Sequence, residues 1–318
     1  MTEKRYQRST GIRMDFLNLL REERSRVRAA RASSDAPSDA GEEEVPSNAA
    51  STAIPSSSPP TIQTPDHTST TAQLTAMLQQ PRQERIDIEQ WRVAWPTLSG
   101  GVGVREGCPA LRSIFVIPDF ISATEECALL EQLESPTNDG AWVHLKSRRL
   151  QSWGRHPDLP FQPMPPWLSA IAERLHSAAI FDEPPSHCLI NAYAPGQGVL
   201  GHEDGPAYRP RVATISLGTR CVLRFHRRVE TSMTPAERRE RNEIPTASVV
   251  LPRRSAVVFA DEAYVSHTHG IRAVLSEKIE AGVGFDARNL AACGLALGDA
   301  LPRGARVSLT FRHTVCEL

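Results

Sequence analysis

A chain of 318 residues has room for one large domain or two small ones. Its 36 basic and 37 acidic side chains nearly cancel, which excludes a whole-molecule field drawing it to nucleic acid or to a membrane, though not a local basic patch. No apolar run approaches the about 18 residues of a spanning helix, and the opening MTEKRYQRST has no apolar core of the kind a secretory leader carries. The six cysteines (Cys108, Cys127, Cys188, Cys221, Cys293 and Cys316) form no CxxC pair, so neither a disulfide framework nor a zinc knuckle is expected, and a reducing compartment, cytosol or nucleus, is the default.

Residues 14–31 place Met14, Leu17, Leu20 and Val27 at near-helical spacing, with an arginine-rich second half. This predicts an isolated amphipathic, basic helix, either simply solvated or docking a protein partner or a targeting receptor. Residues 32–85 are rich in Ser, Thr, Pro and Ala with almost no aromatics, a composition that buries too little apolar surface to offset ordering entropy; a disordered linker is expected. Folded material, a domain over 86–318, is expected to begin near Ile86 to Trp95. The segment 113–122 has the apolar density of a buried strand, and Ser122-Ala-Thr-Glu125 fits a capping box opening a helix through Leu133. Trp142 to Leu150 alternates like a strand, and Pro166 to Ala179 reads as a helix with proline near its start. Short strand-like runs follow at 187–194, 198–203, 212–217, 221–226, 247–251, 255–260, 265–271 and 306–313. Many short strands broken by turns predict a mainly β sandwich or barrel with flanking helices. Two stretches interrupt them: 227–246, mixed in charge and helical or loose, and 276–304, rich in Gly and Ala, an insertion before the last strand.

Chemistry gathers around His202 and Asp204. On a strand, positions i and i+2 share a face, so the imidazole and the carboxylate stand together while Glu203 points away. HxD is a short pattern and occurs twice; in His156-Pro-Asp158 the proline has no N–H for a ladder, so that copy reads as a turn. One more histidine on a neighbouring strand completes a two-His-one-carboxylate face, the set that suits non-heme Fe(II) oxygenases. The segment 263–271 offers His267 and His269, which share a face, so parity does not choose between them. Arg306 and Arg312 stand six apart on one strand and also share a face. Two inward guanidinium forks point to a dicarboxylate ligand, with an internal salt bridge as the alternative. Asn191 and Tyr193 add an amide and a phenol on one face of the strand before His202, and the runs 212–218 and 222–225 have the strand density to build the cup around them.

Asn191-x-Tyr193, the eleven-residue step to His202-x-Asp204, His269-Gly-Ile and Arg306-x5-Arg312, in that order, resemble the AlkB family of Fe(II)/2-oxoglutarate dioxygenases. Arg148-Arg-Leu-Gln-Ser-Trp-Gly154, the Pro-Pro-Trp167 helix and His202-Glu-Asp-Gly-Pro-Ala-Tyr208 are similar to the subfamily called AlkB homologue six. The resemblance runs from about Val116 to the C-terminus; it leaves out residues 1 to about 85, and the 276–304 interval is longer than in AlkB itself. It implies a double-stranded β-helix (jelly-roll) fold, with Fe(II) held by His202, Asp204 and His269, and 2-oxoglutarate and O2 as co-substrates. His269 is preferred because the family's second histidine precedes Gly-Ile or Gly-Val, which leaves His267 to support a ligand or face substrate. By the same resemblance Arg306, Ser308 and Tyr193 meet the distal carboxylate of 2-oxoglutarate, and Arg312 and Asn191 lie near the other one.

Three ligands on one face leave three positions on the metal, two for a chelating 2-oxo acid and one for dioxygen. Decarboxylation to succinate and CO2 then supplies an oxidant for a substrate C–H bond; where that carbon carries nitrogen, hydroxylation ends in demethylation. The resemblance points to alkylated bases of DNA or RNA. Lys146, Arg148, Arg149 and Arg155 around Trp153 form a basic cluster with an aromatic that could grip phosphates and stack a base, unless Arg148 and Arg149 pair with nearby acids. A protein or small-molecule hydroxylase, or a non-catalytic cupin-like metal-binding interaction protein, are the alternatives. A monomer without membrane contact is expected.

Overall fold

The computed structural model describes residues 67–80, 85–93, 111–135, 141–228, 244–282 and 287–315. The helix expected at 14–31, the linker up to residue 66 and residues 229–243 of the mixed-charge stretch lie outside them.

In chain order the helices are α1 (His67–Gln79), α2 (Ala123–Glu134), α3 (Pro166–Ser177) and the single turn α4 (Asp261–Val265). Strands β1 (Ile114–Ile117), β2 (Val143–Leu145) and β3 (Arg148–Gly154) lead into β4 (His187–Tyr193), β5 (Val199–His202), β6 (Tyr208–Gly218) and β7 (Cys221–Arg227). They are followed by β8 (Ala247–Leu251), β9 (Ala256–Ala260), β10 (His267–Ile271), β11 (Ser276–Lys278), β12 (Ala300–Pro302) and β13 (Arg306–Thr314). The major sheet runs β1-β9-β6-β13-β4-β3-β2 and the minor sheet β5-β10-β7-β8. Eight of these strands alternate between the sheets: β4, β6, β9 and β13 on one side, β5, β7, β8 and β10 on the other. All their pairings are antiparallel. That is the double-stranded β-helix, with β1 extending one edge of the major sheet and the β2–β3 hairpin the other.

β13 shows how the sequence divides this fold. Val307, Leu309 and Phe311 point one way into a core with Leu129 of α2 and Trp167, Ile171 and Leu175 of α3. Arg306, Ser308, Thr310 and Arg312 point the other way, toward the minor sheet, as the period-2 pleat requires. Between the sheets, one end is closed by an apolar core containing Phe225, Val249, Val257 and Phe259, and the other is left polar.

Helix α2 begins where its capping box predicts. Ser122 Oγ accepts from Glu125 N at 3.1 Å, and Ser122 N donates to Glu125 Oε2 at 2.8 Å. Ser122→Ala should therefore lower stability by about 1 kcal/mol, or roughly 2–4 °C in melting temperature by calorimetry; an unchanged melting temperature would show that the box adds nothing.

Several expectations change. Helix α1 falls inside the stretch expected to be a disordered linker: its Leu74 and Leu78, one turn apart, are buried against the helices behind the major sheet. Thr71 Oγ1 donates to Gln132 Oε1 of α2 at 2.8 Å, so tertiary packing rather than propensity holds this segment. The single strand expected over 142–150 is a hairpin, β2 paired with β3. The expected strand 265–271 starts with the end of α4 and becomes β10 only at His267. The described parts of the 276–304 interval, 276–282 and 287–304, cover the outer face of the minor sheet, where Ile279, Ala287 and Leu301 pack on Val222 and Val250. There the buried carboxylate of Glu277 pairs with Arg224 and, at 3.3 Å, with Arg303.

Candidate metal centre

Strand β5 ends at His202, whose partner across the ladder is His269 on β10; their ring centroids are 4.5 Å apart. The two backbones approach closely because residue 270 is glycine. A Cβ there would stand 2.9 Å from Gly201 N and 3.0 Å from Val199 O. Asp204 lies past the end of the strand, not on it as the i, i+2 reading expected, because the ladder stops at His202. Glu203 turns out to pair with Arg228 at 2.8 Å, while the Asp204 carboxylate turns in and is 1 % exposed. Tyr264 Oη donates to Gly205 O at 2.6 Å and fixes the loop that follows.

One ligand-type atom each from His202, Asp204 and His269 lie within 4.8 Å of one another. Asp204 Oδ1 is held by Arg312, whereas Oδ2 has no hydrogen-bond partner and sits 3.7 Å from His269 Nε2. His202 Nδ1 is 3.0 Å from the carbonyl of Leu200, so it carries the proton and leaves Nε2 with a free electron pair. Burial lowers the pKa of His202 despite Asp204, and burial followed by the His202 charge takes His269 down to about 3. Burial alone would raise the Asp204 carboxyl, but Arg312 and then the two imidazoles hold it below its usual range. Two neutral imidazoles and one carboxylate are the protonation states a divalent cation needs, and the unpartnered Oδ2 is a ligand in waiting. The set therefore fits Fe(II). His267 is buried as well, but its Nδ1 lies 3.0 Å from the Glu262 carbonyl and it is not part of the group.

Beside this group lies a second polar set. Arg306, opposite Tyr193 on β4 and Gly218 on β6, is 2 % exposed. Its Nη2 donates to Ser216 Oγ at 2.9 Å, but Nε and Nη1 have no partner, and no carboxylate among the described residues pairs with it. A buried guanidinium left in this state costs several kcal/mol, so an anion fits here. Ser308 lies between Asn191 and Ser216 on the adjoining strands. Burial raises the Tyr193 pKa against the pull of Arg306, so its phenol stays protonated and can donate. The pocket thus fits the dicarboxylate 2-oxoglutarate at the Arg306 end. At the other end Arg312 pairs with Asp204, the internal salt bridge that was the alternative reading, and only its Nε is left over.

The expected basic cluster around Trp153 is not brought together. Successive residues of β3 face opposite ways, and adjacency in sequence hid this. Arg149 pairs with Glu134 of α2 and lies 4.4 Å over the Trp142 ring, while Trp153 is half-buried against the helices and donates to Gln151 at 2.9 Å. Lys146 is exposed in the β2–β3 turn and Arg155 is exposed beyond β3. Arg148 alone turns to the polar side, where its Nε donates to Asn191 Oδ1 at 2.9 Å.

Sequence reasoning missed Ser216 and a buried stack behind Arg312. His187, directly across from Arg312, stacks on Tyr208 at 5.3 Å and 24°, with Ser152 Oγ 3.2 Å from its Nε2; Arg312 lies 5.2 Å over the Tyr208 ring. Parity was the available signal, since 187, 189, 191 and 193 share a face. His156 of the second HxD sits edge-on to His187, in the turn that was expected.

Residues 123–312 match the model of the 2OG-Fe(II) oxygenase superfamily. A Danio rerio protein named "Probable RNA/DNA demethylase ALKBH6" is 36 % identical over 214 residues, which are 66 % of this chain and 88 % of that one. A Mus musculus protein named "tRNA (carboxymethyluridine(34)-5-O)-methyltransferase ALKBH8" is 29 % identical over 215 residues, 63 % of this chain but only 30 % of the longer mouse protein. The solved structure of OsALKBH1 aligns with a TM-score of 0.42 at 14 % identity, over 64 % of this chain and 99 % of that one.

Proposed function

The chain belongs to the 2OG-Fe(II) oxygenase superfamily, in its AlkB family, and from that premise we propose that it oxidatively demethylates an alkylated base in RNA or DNA. The family makes it an oxidoreductase that works with iron(II) and 2-oxoglutarate. In our reading His202, Asp204 and His269 hold the metal. Arg306, Ser308 and Tyr193 take the distal carboxylate of 2-oxoglutarate, and Asn191 and Arg312 lie at its other end. The observation that carries this is the unpaired Arg306 guanidinium, buried on the same inner face as the His-Asp-His group.

Once bound, the metal with 2-oxoglutarate and O2 supplies the oxidant, leaving succinate and CO2. The protein's part is arrangement. Arg312 holds Asp204 Oδ1 and thereby turns Oδ2 toward the histidines. The Leu200 carbonyl fixes the tautomer of His202. Phe259, whose ring centroid is 4.8 Å from that of His269, closes the back of the site against water. An N-methyl group of the substrate hydroxylated here becomes an N-hydroxymethyl group, which releases formaldehyde and returns the N–H.

Nucleic acid as substrate draws on the names of the relatives and not on a basic surface. The separation of Arg149, Trp153 and Arg155 from the inner face favours, as second reading, a hydroxylase of protein or small molecules. The free cysteines among the described residues, Cys127, Cys188, Cys221 and Cys293, suit the cytosol or nucleus where such polymers occur.

Succinate release from 2-oxoglutarate, measured with methylated RNA, methylated DNA, peptides or no addition, tests the function. Stimulation by a methylated oligonucleotide with formaldehyde formed in step supports it, and stimulation by peptide alone transfers the lead to the second reading. With Co(II) as spectroscopic probe, His269→Ala should weaken metal binding by more than about 100-fold, whereas His267→Ala should cost less, at most the about 10–100-fold of a supporting residue. The reverse order would exchange the two histidines.

A further inference from the structure

Arg148 belongs to the wall of the inner pocket and not to the outer surface. On β3 it shares a face with Leu150, which is the ladder partner of Asn191 on β4. Its side chain therefore rises beside Asn191 and Tyr193, and its Nε donates to Asn191 Oδ1 at 2.9 Å. An arginine can only donate, so the amide must present its oxygen to it. Asn191 Nδ2, with both its N–H groups, is then turned away from Arg148. Asn191 is 7 % exposed, and its partner across β13 is Ser308. Without Arg148 the amide could equally place its oxygen in the pocket, where it would repel a carboxylate.

We propose that Arg148 is a positioning residue for 2-oxoglutarate: it locks the Asn191 amide with its donor side toward the co-substrate and adds a positive charge at that end of the pocket. The inference rests on the reading of this pocket as the 2-oxoglutarate site. It replaces the phosphate-gripping role expected from the sequence. Arg148 lies at the pocket rim, half-buried, and its bond to Asn191 joins two neighbouring strands, so its removal leaves the cores of the domain intact.

The test is calorimetric titration of 2-oxoglutarate into the full-length Co(II)-loaded protein, with KM and kcat for 2-oxoglutarate turnover by the iron form. Arg148→Ala should raise Kd and KM about tenfold or more, the weight of a hydrogen bond to a charged group, with kcat and melting temperature nearly unchanged. Arg148→Lys should recover part of the loss through its charge. Asn191→Ala should weaken binding by itself, and adding Arg148→Ala to it should cause little further loss, because the two act as one unit.

Fully additive losses would overturn the proposal. So would an unchanged Kd in Arg148→Ala while Arg306→Met loses binding. An unchanged 2-oxoglutarate Kd with weaker oligonucleotide binding and a salt slope reduced by about one would assign Arg148 to a phosphate instead. If Arg306→Met also leaves 2-oxoglutarate binding untouched, the reading of the pocket itself falls.

Discussion

Arg306→Met should abolish 2-oxoglutarate binding without destabilising the ligand-free protein. Two physical effects of opposite consequence meet at this residue. In the ligand-free state the guanidinium is buried with Nε and Nη1 unpartnered and only a serine hydroxyl in contact. Replacing a buried charge by an apolar side chain of similar length is neutral or stabilises by about 1–4 kcal/mol. In the bound state we propose, the same group pairs with a carboxylate, and its loss leaves the anion buried alone, at a cost of about 3–5 kcal/mol, a factor of several hundred or more in Kd. Thermal melting with and without 2-oxoglutarate separates the two. Wild type should gain several degrees with ligand, and the variant should start as high or higher and gain nothing. Arg306→Lys should not restore binding, because an ammonium cannot reproduce the two-point fork. A variant that melts far lower, or that still shifts with ligand, contradicts the assignment.

Asp204→Ala should have the converse profile, with metal binding lost and the protein less stable. The substitution removes the carboxylate we propose as a metal ligand and strands Arg312, which is 6 % exposed and takes its ion pair from Asp204. An uncompensated buried charge costs about 3–5 kcal/mol. Adding Arg312→Met should return most of the stability, since the pair is then gone as a whole, and should return none of the metal affinity. Denaturant unfolding and Co(II) titration of the two variants give both quantities. If the double variant is no more stable than Asp204→Ala, Arg312 does not depend on Asp204; if either variant binds metal like wild type, Asp204 is not a ligand.

Most of the strands were legible because their side chains alternate, and β13 announced both its faces in RVSLTFR. The α2 cap was legible because Ser122 and Glu125 bond to each other within a span of four residues. Helix α1 was not, since its two large buried side chains, Leu74 and Leu78, stand in a Ser/Thr/Pro-rich context and are stabilised by helices far along the chain. Parity left His267 and His269 open and only the resemblance, through the Gly-Ile after His269, preferred one; the register that sets His269 opposite His202 joins β10 to β5 and lies in no single segment. Arg148 was misplaced because neighbours in sequence were taken for neighbours in space; the period of β3, applied residue by residue, parts it from Arg149 and Trp153, which share the helix side. The Arg312–Asp204 pair depends on the end of β13 meeting the loop after β5, a closure that exists only once both sheets face each other.

The two faces of β13 make its length as critical as its composition. Every odd-numbered position from Val307 to Phe311 anchors the helices, and every even-numbered one from Arg306 to Arg312 serves the pocket. One residue inserted or deleted between the two arginines would send all the following side chains to the opposite face, driving a guanidinium into the helix core and a phenylalanine into the pocket. Substitutions can adjust either face separately, but a frame of one residue links them. Variation in chain length is therefore expected to be filtered out of this strand and tolerated in the cover over 276–304, which lies on the outside of the minor sheet.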